Sequence, residues 1–571
     1  MASGSSRKPL RRLRSASSSE VAARSAIDSK IRRAPSPRRS VRWKIIAAGT
    51  TLTLLTAWLW SPALYFGFIY DDHLQIESNR QIQSWSGLGQ ALREPLWTQL
   101  GPERASPYYR PLFLLMLFFQ HMVFGSHPLL WHLVSICLHI VVVLALFLFL
   151  LLHFRRLFPA FGGACVFACS PQATEAVSWV SASSELLYTL LVLLALCAVS
   201  LSCRSSTPRG ALTLRLTSAV ALTLAVFAKE TAIVAVVLAL SYEFLFNNRK
   251  LRRSTVLTYL PLVIPLTAFL WIHSSLHRVD TRSIAEVLSV TPFVFLLAFR
   301  KLIWPIPVSE FYDLWIDQAH SLASVAMHAA SLIGIAGIIL WIGMRSKFAA
   351  WALLVVVLPL VAVCLGTFVL RDYDLFHDRY LYLSTAGMAM LIAALVAKAE
   401  RSAQLRALAI GILAIVLCAE AWQSRIASQQ FSNDASLFSH AVEVAPHNIV
   451  ALQLWAETAI EKQDCNSAIE AYQRAQKLRP DLWKTSFFLG IGYLRCERNE
   501  SAASAFGQAA IVNGATAEQS ALAWYELGRV QLVQGNLADS LTSLRKAASL
   551  DPASQKIQTL LAQNLSMQQH R

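Results

Sequence analysis

The sequence predicts an all-α protein in two parts, a polytopic bundle of about eleven transmembrane helices and then a solenoid of helical repeats. Three observations carry this. Of 571 residues, 55% are hydrophobic and only 15% charged, too apolar a balance for a soluble chain of this size. The apolar residues gather in runs such as Leu138–Leu152 and Leu186–Ser202, which leave no polar face and suit a hydrocarbon core about 30 Å thick. From about Asn448 the composition turns polar and repeats with a fixed period.

The net charge of +17 does not indicate nucleic acid, because of where it sits. Residues 1–44 hold thirteen Lys and Arg against Glu20 and Asp28. This Ser- and Ala-rich stretch has no apolar periodicity and reads as a disordered cytoplasmic tail near anionic lipid. It lacks the short basic region and small-residue cleavage site of a signal peptide.

The membrane part is expected over 45–425. The first span covers about Ile45–Phe66 and is followed by an external loop, 67–127, whose short apolar piece ending at Phe124 reads as interfacial. Further spans are expected near Leu129–Leu152, from about Phe158, up to Cys203, on both sides of Ala228-Lys229-Glu230-Thr231, and at Val256–His273. The last four are Ala323–Met344, Trp351–Val369, Leu381–Val396 and Leu408–Trp422. Pro292–Trp304 is short and holds Arg300 and Lys301, so it reads as interfacial. The internal loops assigned to the cytoplasm then hold fourteen Lys and Arg against Glu400 alone, as the positive-inside rule requires. Eleven spans put the N-terminus in the cytoplasm and everything after Trp422 outside.

In the tail, windows aligned on Ala456 and Gly490 lie 34 residues apart, the tetratricopeptide period. A third window, on Gly528, follows after an insertion near Ala515–Ser520. Small residues at these positions let two helices approach closely, and Pro480 and Pro552 close the second helices. Repeats are expected near 449–482, 483–516 and 521–554, with a degenerate half repeat before 448, in a domain spanning 430–565. Of nine Cys, seven lie in membrane segments as small packing residues. Cys465 and Cys496 fall near inter-helix turns, where a disulfide and two buried thiols are both open readings.

Chemistry concentrates on the external face. Asp71 and Asp72 stand just outside the first span, where adjacent carboxylates repel and need a function or a counter-ion. Tyr109, Arg110 and Pro111 close the first loop. Glu175, Trp179 and Glu185 lie in the second, and Lys229 and Glu230 in the third. Arg371, Asp372, Asp374, His377, Asp378, Arg379 and Tyr380 lie in a later one. Carboxylates, cations and an apolar groove together suit a lipid-phosphate substrate. A carboxylate would deprotonate an acceptor hydroxyl, and cations would hold the phosphate leaving group. For each residue alone, a loop charge satisfied by a neighbour or by water is an equally good reading.

Residues 43–555 resemble the transmembrane-and-TPR O-mannosyltransferases of the GT-C glycosyltransferase superfamily. YDDHLQIESN, YYRPLFLL, FGSHPLLWHLVSICLH, PQATEAVSWVSASSELL, FAKET and DRYLYLSTAG resemble that family's motifs in order. Ser170, where the family usually has His, and Ser183-Ser184, where Gly-Arg is common, depart from its pattern. The resemblance implies a GT-C-type bundle and transfer of mannose or another hexose from a polyprenyl-phosphate sugar to a protein hydroxyl. It makes Asp71 or Asp72 the base, and Arg110, Glu175, Lys229, Glu230 and Arg379 the lining of the donor and acceptor site; Glu185, His377 and Tyr380, which share that face, are taken as further binding residues. A divalent metal is compatible with this reading and not required by it. The repeats would bind the acceptor or a partner outside the membrane, in a bacterial periplasm or the ER lumen. A non-catalytic scaffold and a lipid-linked-sugar transporter are the competing classes. The transporter predicts charges buried mid-span, whereas Arg215, Glu243 and Glu420 lie near span ends.

Overall fold

The structure is a computed structural model that describes residues 37–100, 108–247, 256–260, 264, 267, 271, 284–315, 322–366 and 373–569. The described residues form helices and irregular segments without strands. The chain divides into two compact units, Met1–Thr51 and Leu52–Arg571. The first contributes the start of helix α1 (Pro37–Trp60).

In the second unit, a short helix α2 (Trp85–Ala91) and α3 (Pro111–Phe124) lie in the stretch that follows α1. The bundle continues with α4 (Pro128–Phe154), α5 (Leu157–Cys169), the one-turn α6 (Thr174–Ser178), α7 (Ser184–Ser202), α8 (Pro208–Ala228) and α9 (Val234–Phe246). After these come α10 (Ile284–Ile303), α11 (Leu322–Arg345), α12 (Lys347–Gly366), α13 (Tyr382–Ala399) and α14 (Ala403–Ser428).

Eight stretches among the described residues are long and apolar enough to cross a membrane, and each coincides with an expected span. Of the other three expected spans, two are α5 and α9, helices of 13 residues, shorter than the roughly 20 that a crossing takes. The third, Val256–His273, lies largely outside the described residues. One reading is corrected. The apolar segment taken to begin at Pro292 is the second half of a 20-residue helix that runs through that proline. A proline ordinarily marks a helix start, but an interior one is tolerated at the loss of one backbone hydrogen bond.

Helices α5 and α8 stop where the backbone leaves helical geometry. Ser170, which precedes Pro171, is extended at φ −67°, ψ 127°, as steric conflict with the proline ring dictates. Lys229 is extended at φ −159°, ψ 130°. The irregular stretches that follow carry Glu175 and Lys229-Glu230, so the helix breaks are what bring charge into the bundle. Elsewhere in the bundle polar groups pair helix to helix. Arg215 of α8 bonds Glu243 of α9, and His139 of α4 lies 2.6 Å from the Tyr382 hydroxyl of α13.

The C-terminal solenoid begins with α15 (Asp434–Val444). Three helix pairs follow: α16 (Ile449–Glu461) with α17 (Cys465–Leu478), α18 (Trp483–Arg495) with α19 (Asn499–Ala510), and α20 (Ala517–Val533) with α21 (Leu537–Leu550). Close approach explains the repeat glycines. A Cβ on Gly490 would lie 2.7 Å from the Phe506 ring, and one on Gly528 would lie 2.8 Å from Leu544. The inserted residues lengthen the start of α20, whose N-cap Thr516 forms a capping box with Gln519. A last helix, α22 (Gln555–Gln569), lies beyond the expected repeats. It covers the end of the array with buried Ile557 and a bond from Asn564 Nδ2 to Ser540 Oγ at 2.7 Å. Cys465 and Cys496 are joined in a disulfide, Cα to Cα 5.8 Å.

Candidate functional site

All ten residues singled out in the sequence lie in one network of buried and half-buried charge. It is assembled from the segments after α1, before α3, around α6, at the start of α7, between α8 and α9, and before α13. Arg371 and Asp372, also noted on that face, lie outside the described residues.

Asp71 and Asp72 have opposite environments. Asp72 is fully buried. Its carboxylate accepts the backbone N–H of Ile69 at 3.2 Å, the N–H of Ser181 at 2.8 Å and the Ser181 hydroxyl at 2.5 Å. Asp71 is half-buried, and among the described residues its side chain makes no hydrogen bond. Burial raises both carboxyls to about 7. For Asp71, Arg379 opposes that rise while Glu310 and Asp374 add to it. Asp72 is thus a strut between two loops, and Asp71 is the carboxylate left available.

Arg379 is the centre of the network. Its backbone N–H donates to Glu175 Oε2 at 2.9 Å, and its Nη1 bonds both Glu175 Oε1 and Glu310 Oε1, the latter at 3.0 Å. The guanidinium lies 4.8 Å from the Trp179 ring centre and 5.2 Å from that of Tyr380. His377 is held between two carboxylates, with Nε2 2.9 Å from Asp374 and Nδ1 3.1 Å from Glu310. Burial and Arg379 push its imidazole down, but Glu310 and Asp374 outweigh them and raise it to about 10. It is therefore an imidazolium at neutral pH.

The other two cations are paired as well. Lys229 forms a buried ion pair with Glu185 and sits 4.9 Å from the Tyr380 ring centre. Arg110 grips Glu230 through two bonds of 2.9 and 2.6 Å, with its guanidinium 4.7 Å from the Tyr108 ring centre. Burial works against the charged Glu230, but Arg110 and Lys229 hold its carboxyl below the usual range. The Tyr380 ring touches both the Lys229 and the Arg379 pair and so ties those two together, while Glu230, the chain neighbour of Lys229, brings in the Arg110 pair.

Glu310 was missed in the sequence. It lies in the aromatic loop after α10, and a single acid among Phe311, Tyr312 and Trp304 is a weak signal. The same loop is fixed by a second buried pair, Lys301 with Asp378 at 3.2 Å, and by the Tyr312 hydroxyl donating to Asp378 at 2.5 Å. Among the described residues, Glu175, Glu310 and His377 are the group able to hold a cation, with ligand atoms within 4.8 Å of one another. Arg379 already bonds both of these carboxylates, so it supplies the positive charge they need. Chemically, the arrangement offers one available carboxylate beside Arg379, in a network whose cations are each balanced by carboxylates.

Comparison with known proteins finds a repeat family and partial relatives. A tetratricopeptide-repeat family model matches residues 454–518 and 489–555. The protein O-mannosyl-transferase Tmtc1 of Drosophila melanogaster is 31% identical over 214 residues, 36% of this chain and 24% of that protein. The human protein O-mannosyl-transferase TMTC3 is 29% identical over 143 residues, 25% of this chain and 15% of that protein. The matched stretch thus spans a quarter or less of these relatives' length. A solved APC/C hetero-tetramer, Cut9–Hcn1, aligns over 71% of this chain and 90% of its own at 13% identity, with a TM-score of 0.23, too low to argue from. Over these stretches the chain is similar to the named O-mannosyl-transferases and to tetratricopeptide repeats.

Proposed function

We propose that this chain is a membrane glycosyltransferase that moves a hexose, mannose by its likeness to the named relatives, from a polyprenyl-phosphate carrier to a hydroxyl of a protein acceptor. The observation that carries the reading is Asp71, a half-buried carboxylate that, among the described residues, makes no side-chain hydrogen bond and feels the charge of Arg379. Asp71 takes the acceptor's hydroxyl proton as its oxygen attacks the anomeric carbon, and the bond from that carbon to the phosphate oxygen breaks. Arg379, Lys229 and Arg110 face the negative charge that develops on the departing phosphate. Each is held by a carboxylate, so it is positioned before the donor arrives and needs no reorganisation.

The site lies on the extracytoplasmic side in this reading, with the repeats beside it to receive the acceptor. Two features support that placement. The charge alternation of the loops orients the spans, and the Cys465–Cys496 disulfide suits an oxidising compartment.

The test is transfer in vitro from a panel of polyprenyl-phosphate sugars to protein acceptors, by wild-type chain and Asp71→Asn. Transfer by wild type and its loss in the variant is the expected result. Equal transfer by both sinks the assignment of Asp71. No transfer from any donor favours a scaffold that presents repeats.

A further inference from the structure

Helix α15, the first of the C-terminal solenoid, bonds to the segment that carries Asp71. Tyr70, immediately before Asp71, has φ +48°, a left-handed conformation that a bulky side chain holds only when its surroundings impose it. Asp434 of α15 bonds this segment at Tyr70 and at His73. Its Oδ1 accepts the Tyr70 backbone N–H at 2.8 Å, and its Oδ2 pairs with His73 Nε2 at 2.9 Å. One turn further along α15, Phe438 packs edge-on against the Tyr70 ring at 5.5 Å. Trp179 stacks against the same ring at 5.8 Å.

The same helix also reaches the loop of Glu310. His440 Nε2 lies 2.9 Å from the carbonyl oxygen of Val308. Just past α15, Asn448 Nδ2 donates to the carbonyls of Tyr312 at 3.0 Å and Tyr373 at 2.8 Å. The segments holding Asp71, Glu310 and Asp374 are thus all tied to α15 or to the turn after it.

We infer that α15 is a working part of the site and that Asp434 is a positioning residue, which sets the Tyr70–His73 segment so that Asp71 faces Arg379. The inference rests on the reading of Asp71 as the base. It gives the repeats a second role, because the array that would bind an acceptor is joined through Asp434 to the group that would activate it.

The experiment uses the full chain in lipid, with the donor that supports wild-type transfer. Asp434→Ala is expected to lower kcat about 10- to 100-fold, the effect of a displacement near 1 Å at a reacting group, with KM for the donor unchanged. Asp434→Asn, whose amide oxygen still accepts the Tyr70 N–H, is expected to recover most of that loss. Amide hydrogen exchange read on a peptide spanning 68–78 should quicken in Asp434→Ala and not in Asp434→Asn. Unchanged kcat and unchanged exchange in Asp434→Ala overturn the inference and leave Asp71 standing if Asp71→Asn is inactive. If Asp71→Asn remains fully active, both readings fall. If Asp434→Ala loses protection throughout the chain, Phe438→Leu decides: normal kcat and normal exchange at 68–78 in that variant overturn the inference, and a fall in kcat with faster exchange there upholds it.

Discussion

Arg379 Nη1 lies 3.0 Å from Glu310 Oε1, an ion pair between residues 69 positions apart that also draws in Glu175. A single guanidinium therefore holds together α6, the loop after α10 and the start of α13. Charge-assisted bonds of this kind fix geometry as well as energy.

Glu310→Gln should keep the fold and loosen Arg379 and His377 together. We expect kcat/KM for transfer to fall by about 10²-fold, in keeping with misplacement of a group at the reacting centre. Steady-state kinetics in lipid checks this, with circular dichroism to confirm that the helices remain.

Transfer should rise with pH through about 7, because the base must be ionised and burial holds the Asp71 carboxyl near that value. Stability runs the other way. A carboxyl raised from 3.8 to about 7 binds more protons folded than unfolded, so its contribution is present at low pH and lost as pH climbs through that window. A pH profile of kcat/KM beside thermal melts over the same range reads both.

Asp72 and Asp71 should separate on mutation. Asp72→Ala strands the N–H groups of Ile69 and Ser181 and should cost about 3 kcal/mol of stability. Asp71→Asn should leave stability near wild type and lower transfer about 10²- to 10⁴-fold. Melting temperature and turnover, measured on the same preparations, distinguish a strut from a base.

Reducing the Cys465–Cys496 disulfide opens a loop with a sequence separation of 31. A cross-link over such a loop contributes about 3 kcal/mol. We expect Cys465→Ser and reductant to lower the melting temperature of the repeats equally, and to have no additive effect.

Gly490→Val should destabilise α18 against α19, since even a Cβ would meet the Phe506 ring at 2.7 Å. A cost of about 1–3 kcal/mol is typical of such overpacking. Thermal unfolding of the full chain measures it.

The membrane spans were legible because their signal is local. A run of apolar residues cannot satisfy its backbone in lipid except as a helix, so α4 or α7 follows from its own composition. The repeats were legible for a similar reason, since Gly490 and Gly528 mark helix contacts that recur at a fixed period. Pro292 misled because a proline's local meaning was overridden by its helix, and α22 carries too little of the repeat pattern to announce itself.

The sequence by itself set Asp71, Asp72, Arg110, Glu175, Lys229 and Arg379 apart as charges in the breaks between apolar runs. Only the tertiary structure decided which of them are partners. Pairing energy falls off within a few ångströms, and the contacts that matter join residues far apart in the chain. Asp72 is bound to Ser181, while among the described residues the Asp71 side chain makes no hydrogen bond. Glu310 reaches Arg379, and Asp434 of α15 holds Tyr70. No periodicity or local composition encodes such distances, so the available carboxylate and the helix that positions it emerge only when the loops are brought together.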